Sequence, residues 1–229
     1  MEQKCLPKLF GVILFLSIYT LGFSQNEIHY SQFYNSTLNL NPALTGIFNG
    51  DKRISANYKS QWRSVPVNYF TLSGNYDQKI YSNKNEKIFF GAGANFNFDQ
   101  AGDGKFGLLN LNFLGSFTYM INRHFFVTPG LGIGFGQRSI NSAGLNFGDQ
   151  WRGDYFDKNP TSGEKVDLDK MSFLYPETSL GLNIRLQNSA RTKLDLGGGF
   201  CHLNSPKIQF YDGSDSKLPV TMSFYGLGS

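Results

Sequence analysis

The chain has few charged residues and almost no cysteine. Charged residues make up 17% of its 229 residues, against roughly 25% in an ordinary soluble domain. Of the two cysteines, Cys5 lies near the N-terminus and only Cys201 lies in the body of the chain, which excludes an internal disulfide there. Lys and Arg form no basic stripe with interleaved aromatics, so the net charge of +4 gives no support to nucleic-acid binding.

Motifs that carry catalysis or hold a cofactor are also lacking. The three histidines, His29, His124 and His202, lie on separate segments, and none accompanies a Ser or Cys in a nucleophile motif. We expect His124 in a turn and His202 at a solvated strand end, and Cys201 should point to the opposite face from its strand neighbour. The stretches "DQAGDGK" and "YDGSDSK" are interpreted as turns rather than Ca²⁺ loops. The sequence therefore predicts no enzyme, no cofactor and no metal site.

The first 25 residues have the pattern of a secretory signal peptide. Lys4 and Lys8 precede an apolar run from Leu9 to Leu21, and small residues follow before Gln25. The run is shorter than the roughly 20 residues that cross a bilayer as a helix; a retained N-terminal anchor is the alternative. No later apolar run is long enough either, so we predict an exported protein of a bacterial envelope, with residues 1–25 removed.

Aromatic residues and glycine are what the chain has in quantity, with 22 Phe, 12 Tyr and 26 Gly. This composition favours strands and turns over helices. Apolar residues alternate with small or polar ones: in "IFFGAGANFNF", residues 88–98, Phe90 and Phe96 fall on one face and Gly91 and Asn95 on the other. The alternate glycines of 130–136 would either admit something packed against that wall or relieve crowding. We predict eight strands, at 52–61, 66–78, 87–99, 106–121, 124–137, 171–187, 192–203 and 218–227.

The length and spacing of these strands favour a barrel in an outer membrane. Most segments reach the roughly 10 residues of a transmembrane strand. Links after the second, fourth and sixth strands are short, whereas those after the third, fifth and seventh read as longer, with the first link as an exception. Unpaired strand edges are costly in hydrocarbon. We therefore predict an all-β fold, a transmembrane antiparallel β-barrel with apolar side chains toward lipid and Gly, Asn, Ser and isolated charges toward the lumen; a soluble all-β fold is the alternative.

Two irregular segments are candidate contact sites. In the connection 138–170, Trp151, Tyr155 and Arg152 form a composition that is enriched at protein contacts, with an aromatic belt or a self-packed loop as alternatives. Residues 26–51 have no period but contain an Asn-Pro step. We expect this lead-in to lie across the periplasmic mouth or in the lumen, with a disordered lead-in as the alternative. Its expected anchors are Phe33, Tyr34, Leu40 and Leu44.

The order of several motifs resembles a known family. "SQFYNSTLNLNPALTGI", "YKSQW" with a following Pro, "FGDQWRGDYFD" and "HLNSPKIQFYDGSDSKLP" are similar to the PorP/SprF family of outer-membrane proteins of type IX secretion and gliding in Bacteroidota. The N-P-A-x-x-G core is the most specific part. The residues carried over as motif or contact candidates are Asn41, Pro42, Ala43, Gly46, Gln61, Trp62, Asp149, Trp151, Arg152 and Tyr155.

The resemblance implies a function as well as a fold. It implies a non-enzymatic barrel in outer-membrane lipid that helps to export or anchor adhesins with a C-terminal sorting domain, together with secretion and gliding components. A passive porin or uptake channel is the alternative. Residues 26–51 would form a periplasmic lead-in or plug and residues 52–229 the barrel. Because members of the family usually continue with more strands, the resemblance also implies that this barrel is incomplete.

Overall fold

The computed structural model consists of eight long strands and a short N-terminal segment. It describes residues 28, 35–62, 64, 69–82, 87–102, 104–141, 148–155, 157, 172–189, 192–208 and 217–228. The predicted signal peptide, His29, Phe33 and Tyr34 lie outside these residues. The strands are β1 (Lys52–Gln61), β2 (Tyr69–Tyr81), β3 (Ile88–Ala101), β4 (Phe106–Asn122), β5 (Phe125–Ser139), β6 (Ser172–Gln187), β7 (Lys193–Cys201) and β8 (Thr221–Gly228).

The strands form one antiparallel meander, in which each pairs with its neighbour in the chain. Each predicted strand overlaps one observed strand, so the all-β prediction is confirmed. The register aligns polar residues in rows: Ser73 lies opposite Asn97, and Asn97 lies opposite Asn110. Since side chains alternate along a strand, such rows give the whole sheet one polar face.

The two faces of the sheet are the reverse of those in a soluble protein. On the outer face, large apolar side chains are exposed, with Phe113 at 53% and Ile133 at 57%. On the inner face, polar side chains are buried, with Ser73, Asp77 and Asn183 each at 0%. An apolar exterior around a polar interior is the arrangement of a strand protein in lipid.

The sheet curls into a half-barrel. Over the described residues, β1 and β8 each pair on one side only, so these two strands do not close it. A closed barrel of eight strands has room inside for little more than its own side chains. Here the inner face also holds a segment of backbone, residues 36–48.

The connections define two ends of the sheet. At the short-turn end lie the links 82–87, 123–124 and 188–192; at the loop end lie 62–68, 102–105, 140–171 and 202–220. The expected contrast holds for the last two loops. It is wrong for 102–105, because β3 continues to Ala101, beyond its predicted end at residue 99. The first link connects Gln61 of β1 to Tyr69 of β2, and the predicted start of the second strand, 66–68, lies outside the described residues.

The inner segment, residues 36–48, lies on the concave polar face. Helix α1 (Thr37–Leu40) is followed by a 3₁₀ turn over Pro42–Leu44. Asn41 caps this turn, and Pro42 suits its first position because the missing N–H would have no partner there. Gly46 then turns the chain with φ of 73°. The 3₁₀ turn packs against β4, β5 and β6.

Among the described residues, no helix is long and apolar enough to span a bilayer.

Candidate functional site

Asn41 is the main polar anchor of the inner segment, and it is fully buried. Its Oδ1 accepts from the Ala43 N–H at 2.7 Å, which caps the 3₁₀ turn. Its Nδ2 lies within hydrogen-bond distance of three acceptors: the Leu182 carbonyl at 3.2 Å, the Gly198 carbonyl at 3.0 Å and the Tyr225 hydroxyl at 3.0 Å. One side chain therefore joins the segment to β6, β7 and β8.

A chain of polar contacts continues from Asn41 into the wall. The Tyr225 hydroxyl donates to Asn183 Oδ1 at 3.0 Å, and Asn183 Nδ2 donates to Asp195 Oδ1 at 3.1 Å. Arg185 then binds both carboxylate oxygens of Asp195, at 2.8 and 2.9 Å. A bidentate pair of a guanidinium and a carboxylate holds both side chains in one orientation. The network stabilises the position of Tyr225, and through it the position of Asn41.

A second Arg–Asp pair holds the other end of the inner segment. Arg53 on β1 binds both carboxylate oxygens of Asp77 on β2, at 2.9 and 2.8 Å, and Asp77 is completely buried. Asp77 also accepts from the Gly46 N–H at 2.8 Å, while Arg53 lies 3.4 Å from the Leu44 carbonyl. The guanidinium stacks over the Phe48 ring at 4.7 Å. The pair therefore binds the inner segment where it approaches the short-turn end.

Side-chain amides join the helical part of the inner segment to β3. Asn39 and Asn97 exchange hydrogen bonds, with Nδ2 of each donating to Oδ1 of the other at 3.0 and 2.7 Å. Asn95 Nδ2 also donates to Asn39 Oδ1. A pair of amides is self-complementary, since each has both a donor and an acceptor.

Two serines from the wall bind the backbone of the inner segment. Ser116 on β4 donates to the Thr45 carbonyl, and Ser223 on β8 donates to the Leu40 carbonyl, each at 2.6 Å. These contacts satisfy carbonyl groups that the short helical turns leave without a partner. Strands from β1 to β8 thus contribute to the binding of this segment.

Glycines on the inner face leave the space that the inner segment fills. A methyl group at these positions would collide with the backbone or the cap of the segment. The four positions are Gly91, facing Thr45; Gly130, facing Ala43; Gly181, facing Asn41; and Gly199, facing Leu40. Of the alternate glycines in 130–136, Gly130 alone faces the segment, while the other three make room for side chains of neighbouring strands. The two interpretations of that run, close packing against the wall and relief of crowding, therefore both apply, at different positions.

A polar chamber remains between the inner segment and the wall, toward the loop end. It is a cavity of about 60 Å³, and within it His202 Nδ1 lies 3.0 Å from Glu177 Oε1, with both side chains buried. The predicted solvated position of His202 is therefore wrong. Cys201 ends β7, and His202 then adopts φ of 57°, which lets both neighbours line the chamber rather than point to opposite faces. The described residues that line the chamber are Ile28, Leu38, Asn39, Pro42, Asn95, Asn97, Asn110, Asn112, Leu114, Glu177, Ser179, Cys201 and His202.

The candidate residues from the sequence fall into two groups in the structure. Asn41, Pro42, Ala43 and Gly46 lie together on the inner face, and the expected anchors Leu40 and Leu44 lie beside them. The remaining candidates lie at or near the loop end.

Gln61 ends β1 there, and Trp62 is exposed with its ring edge-on to Tyr69, 5.2 Å between centroids. In the long connection 140–171, Trp151 and Tyr155 are 57% and 62% exposed, and Arg152 is exposed too. The backbone of Asp149 lies in a 3₁₀ turn over Gly148–Gln150, and its side chain is outside the described atoms. Residues 158–170 are also outside the description.

Sequence reasoning missed the wall residues that bind the inner segment. Asp77, Asn183, Asp195 and Tyr225 lie at inward positions of strands that the sequence predicts. For Asp77 and Asp195, a charged residue at an inward position was the available signal, because a buried charge needs a partner. In the part of the chain that the structure describes, no group of three or more His, Cys, Asp or Glu side chains is placed to hold a metal ion.

An apolar outer face, a buried polar inner face and a chain segment bound along that inner face define a membrane protein built from strands, with an occupied interior. The comparison with protein families agrees. The family model described as "Type IX secretion system membrane protein PorP/SprF" matches residues 22–227 of the sequence, so the chain belongs to the PorP/SprF family. It is an outer-membrane protein associated with type IX secretion. No curated protein and no solved structure matches the chain.

Proposed function

We propose that this protein is a non-enzymatic outer-membrane scaffold that supports type IX secretion and the surface anchoring of adhesins with a C-terminal sorting domain, and through them gliding motility. The observation that carries the proposal is the inner segment, which occupies the concave side of the sheet and is bound there by Asn41 and by the Arg53–Asp77 pair. An interior held by specific bonds suits a rigid support better than a path for solutes.

The two ends of the sheet suit different contacts. We propose that the short-turn end faces the periplasm, where short turns are usual, and that the loop end faces outward. Residues 1–25 would direct export, and the inner segment would meet periplasmic components of the secretion and gliding machinery where it joins β1. On the other side, Trp151 and Tyr155 expose large rings beside Arg152, a combination that is frequent in protein contacts.

A complementation experiment tests this function. In a Bacteroidota host that lacks the homologous gene, the wild-type chain should restore adhesin display and gliding. The double variant Trp151→Ser/Tyr155→Ser should reach the membrane in normal amount yet fail to restore adhesin display. Leu203→Ser, which changes another exposed apolar residue at the loop end, is the matched control and should behave as wild type. Unchanged display without the gene would contradict the proposal.

Conductance separates the scaffold from a passive porin. With its inner segment bound, the purified protein should give no stable single-channel conductance in planar bilayers. Regular conductance steps from the wild-type protein would favour the porin and count against a filled interior. As a positive control, a variant that weakens the binding of the segment, Asn41→Ala, should increase leakage.

A further inference from the structure

Three buried oxygen atoms at the polar chamber have no hydrogen-bond donor among the described residues: Glu177 Oε2, Asn95 Oδ1 and Asn110 Oδ1. Their side chains are almost fully buried, with exposed fractions of 7%, 3% and 6%, and all three residues line the same cavity. A buried acceptor without a donor is unfavourable, and an ion or ordered water usually compensates for it. These oxygens therefore point to a ligand.

The strand register places these residues in two adjacent rows of the inner face, and all three line the same cavity. Asn95 lies opposite Asn112, Asn112 lies opposite Gly134, and Gly134 lies opposite Glu177, so the four form one row across β3 to β6. Asn110 is two residues from Asn112 on the same face of β4. Gly134 contributes no side chain to the row, and the Asn112 side chain fills the space beside it.

The chemistry of the three oxygens selects the ligand. Glu177 faces one ring nitrogen of His202 through Oε1, and Asn110 Nδ2 lies 3.5 Å from that same oxygen. Oε2 remains for another partner. A carboxylate together with amide oxygens is the ligand set of a hard cation, and Ca²⁺ tolerates irregular geometry and retained water, whereas Mg²⁺ demands a near-ideal octahedron. The cavity of about 60 Å³ has room for one such ion with a few water molecules.

We propose that the polar chamber is a Ca²⁺ site, with Glu177, Asn95 and Asn110 as its protein ligands and water completing the coordination. Asn95 also donates to Asn39 of the inner segment, and Leu38 and Pro42 border the chamber. The ion would bind where the segment meets the wall. Because the ion would bind only when the segment lies against the wall, its binding shifts the equilibrium toward that bound position.

Calorimetry on the full chain tests the site. The protein, purified in detergent and treated with a chelator, is titrated with CaCl₂ and, separately, with MgCl₂. Wild type should give saturable heat with one Ca²⁺ per chain and weaker binding of Mg²⁺. Glu177→Gln and Asn110→Leu should each weaken Ca²⁺ binding by at least about tenfold. Asp154→Asn, which neutralises an exposed carboxylate in the connection 140–171, should leave binding unchanged.

Two further measurements keep the test independent of folding defects. Asn110→Asp keeps the ligand oxygen and adds a charge, so it should bind Ca²⁺ more tightly than wild type. The thermal midpoint of wild type should rise when CaCl₂ is added after chelation. Absence of saturable heat and of any rise in the midpoint would overturn the proposal and assign ordered water to the chamber, as would unchanged binding in both Glu177→Gln and Asn110→Leu.

Discussion

The outer face of the sheet carries apolar side chains that are open to the surroundings, whereas the inner face carries polar side chains that are buried or half-buried. Ile133 on the outer face is 57% exposed, while Asn183 on the inner face is 0% exposed and has named partners on two sides. On the outer face one apolar residue can replace another, because contact with lipid chains does not require a specific side-chain shape. On the inner face each side chain must match a specific donor, acceptor or gap. The outer face thus requires a class of residue, and the inner face requires particular residues.

The two inner Arg–Asp pairs refine this contrast. Both pairs join neighbouring strands at the short-turn end, and in both the arginine makes a bidentate contact with the carboxylate. Asp77 binds the Gly46 N–H directly, whereas Asp195 reaches the inner segment through Asn183 and Tyr225. We therefore expect the first pair to matter more for the binding of the segment, although both contribute to the sheet.

The largest effect should come from removing one charge of the inner face. Arg53→Met leaves the buried Asp77 carboxylate without its cation, a change that typically costs about 3–5 kcal/mol in the free energy of unfolding. Urea titration of the protein in lipid vesicles measures this loss. Lys52→Met, at the exposed position next to it, is the control and should change little. An equal loss in both variants would show that total charge, rather than the Asp77 contact, is what matters.

A charge on the outer face should have the next largest effect. Ile133 lies near the middle of β5 and points outward, so Ile133→Arg would place a guanidinium in hydrocarbon, which costs about 2–4 kcal/mol at the midplane. The same urea titration measures it, with Ile133→Leu as the neutral control. If the arginine variant were as stable as the leucine variant, the outer face would not be in contact with lipid.

A single methyl group on the inner face should have a smaller effect. Gly130→Ala would press against the backbone of Ala43, and overpacking of this kind costs about 1–3 kcal/mol. Gly115→Ala is a close control, because Gly115 lies on the neighbouring strand, faces outward and has open space around it. Protease cleavage within the inner segment, compared with heat-modifiable migration of the sheet, should show that Gly130→Ala releases the segment before the sheet unfolds. Equal cleavage in both variants would mean that the close contact is not needed.

Much of the fold was predictable because strand alternation is a local property. The observed β1 and β4 begin at the predicted residues, and Phe90 and Asn95 fall on opposite faces as expected. His202 was misplaced because its burial depends on a turn of the backbone with positive φ, which the sequence around it does not signal. The candidate site was predictable only in part, since Asn41 was singled out while Asp77 and Tyr225 were not.

The sequence by itself determined which residues form strands, which face of each strand is apolar and that the Asn-Pro step interrupts regular structure before β1. Those properties depend on residues that are near each other in the chain. Tertiary structure alone decided what the inner face binds. Asn41 meets Tyr225 across 184 positions of sequence, and Gly130 gains its role only because β5 passes behind Ala43. Contacts between residues so far apart arise from strand order and curvature together, so the pattern of any single strand does not contain them.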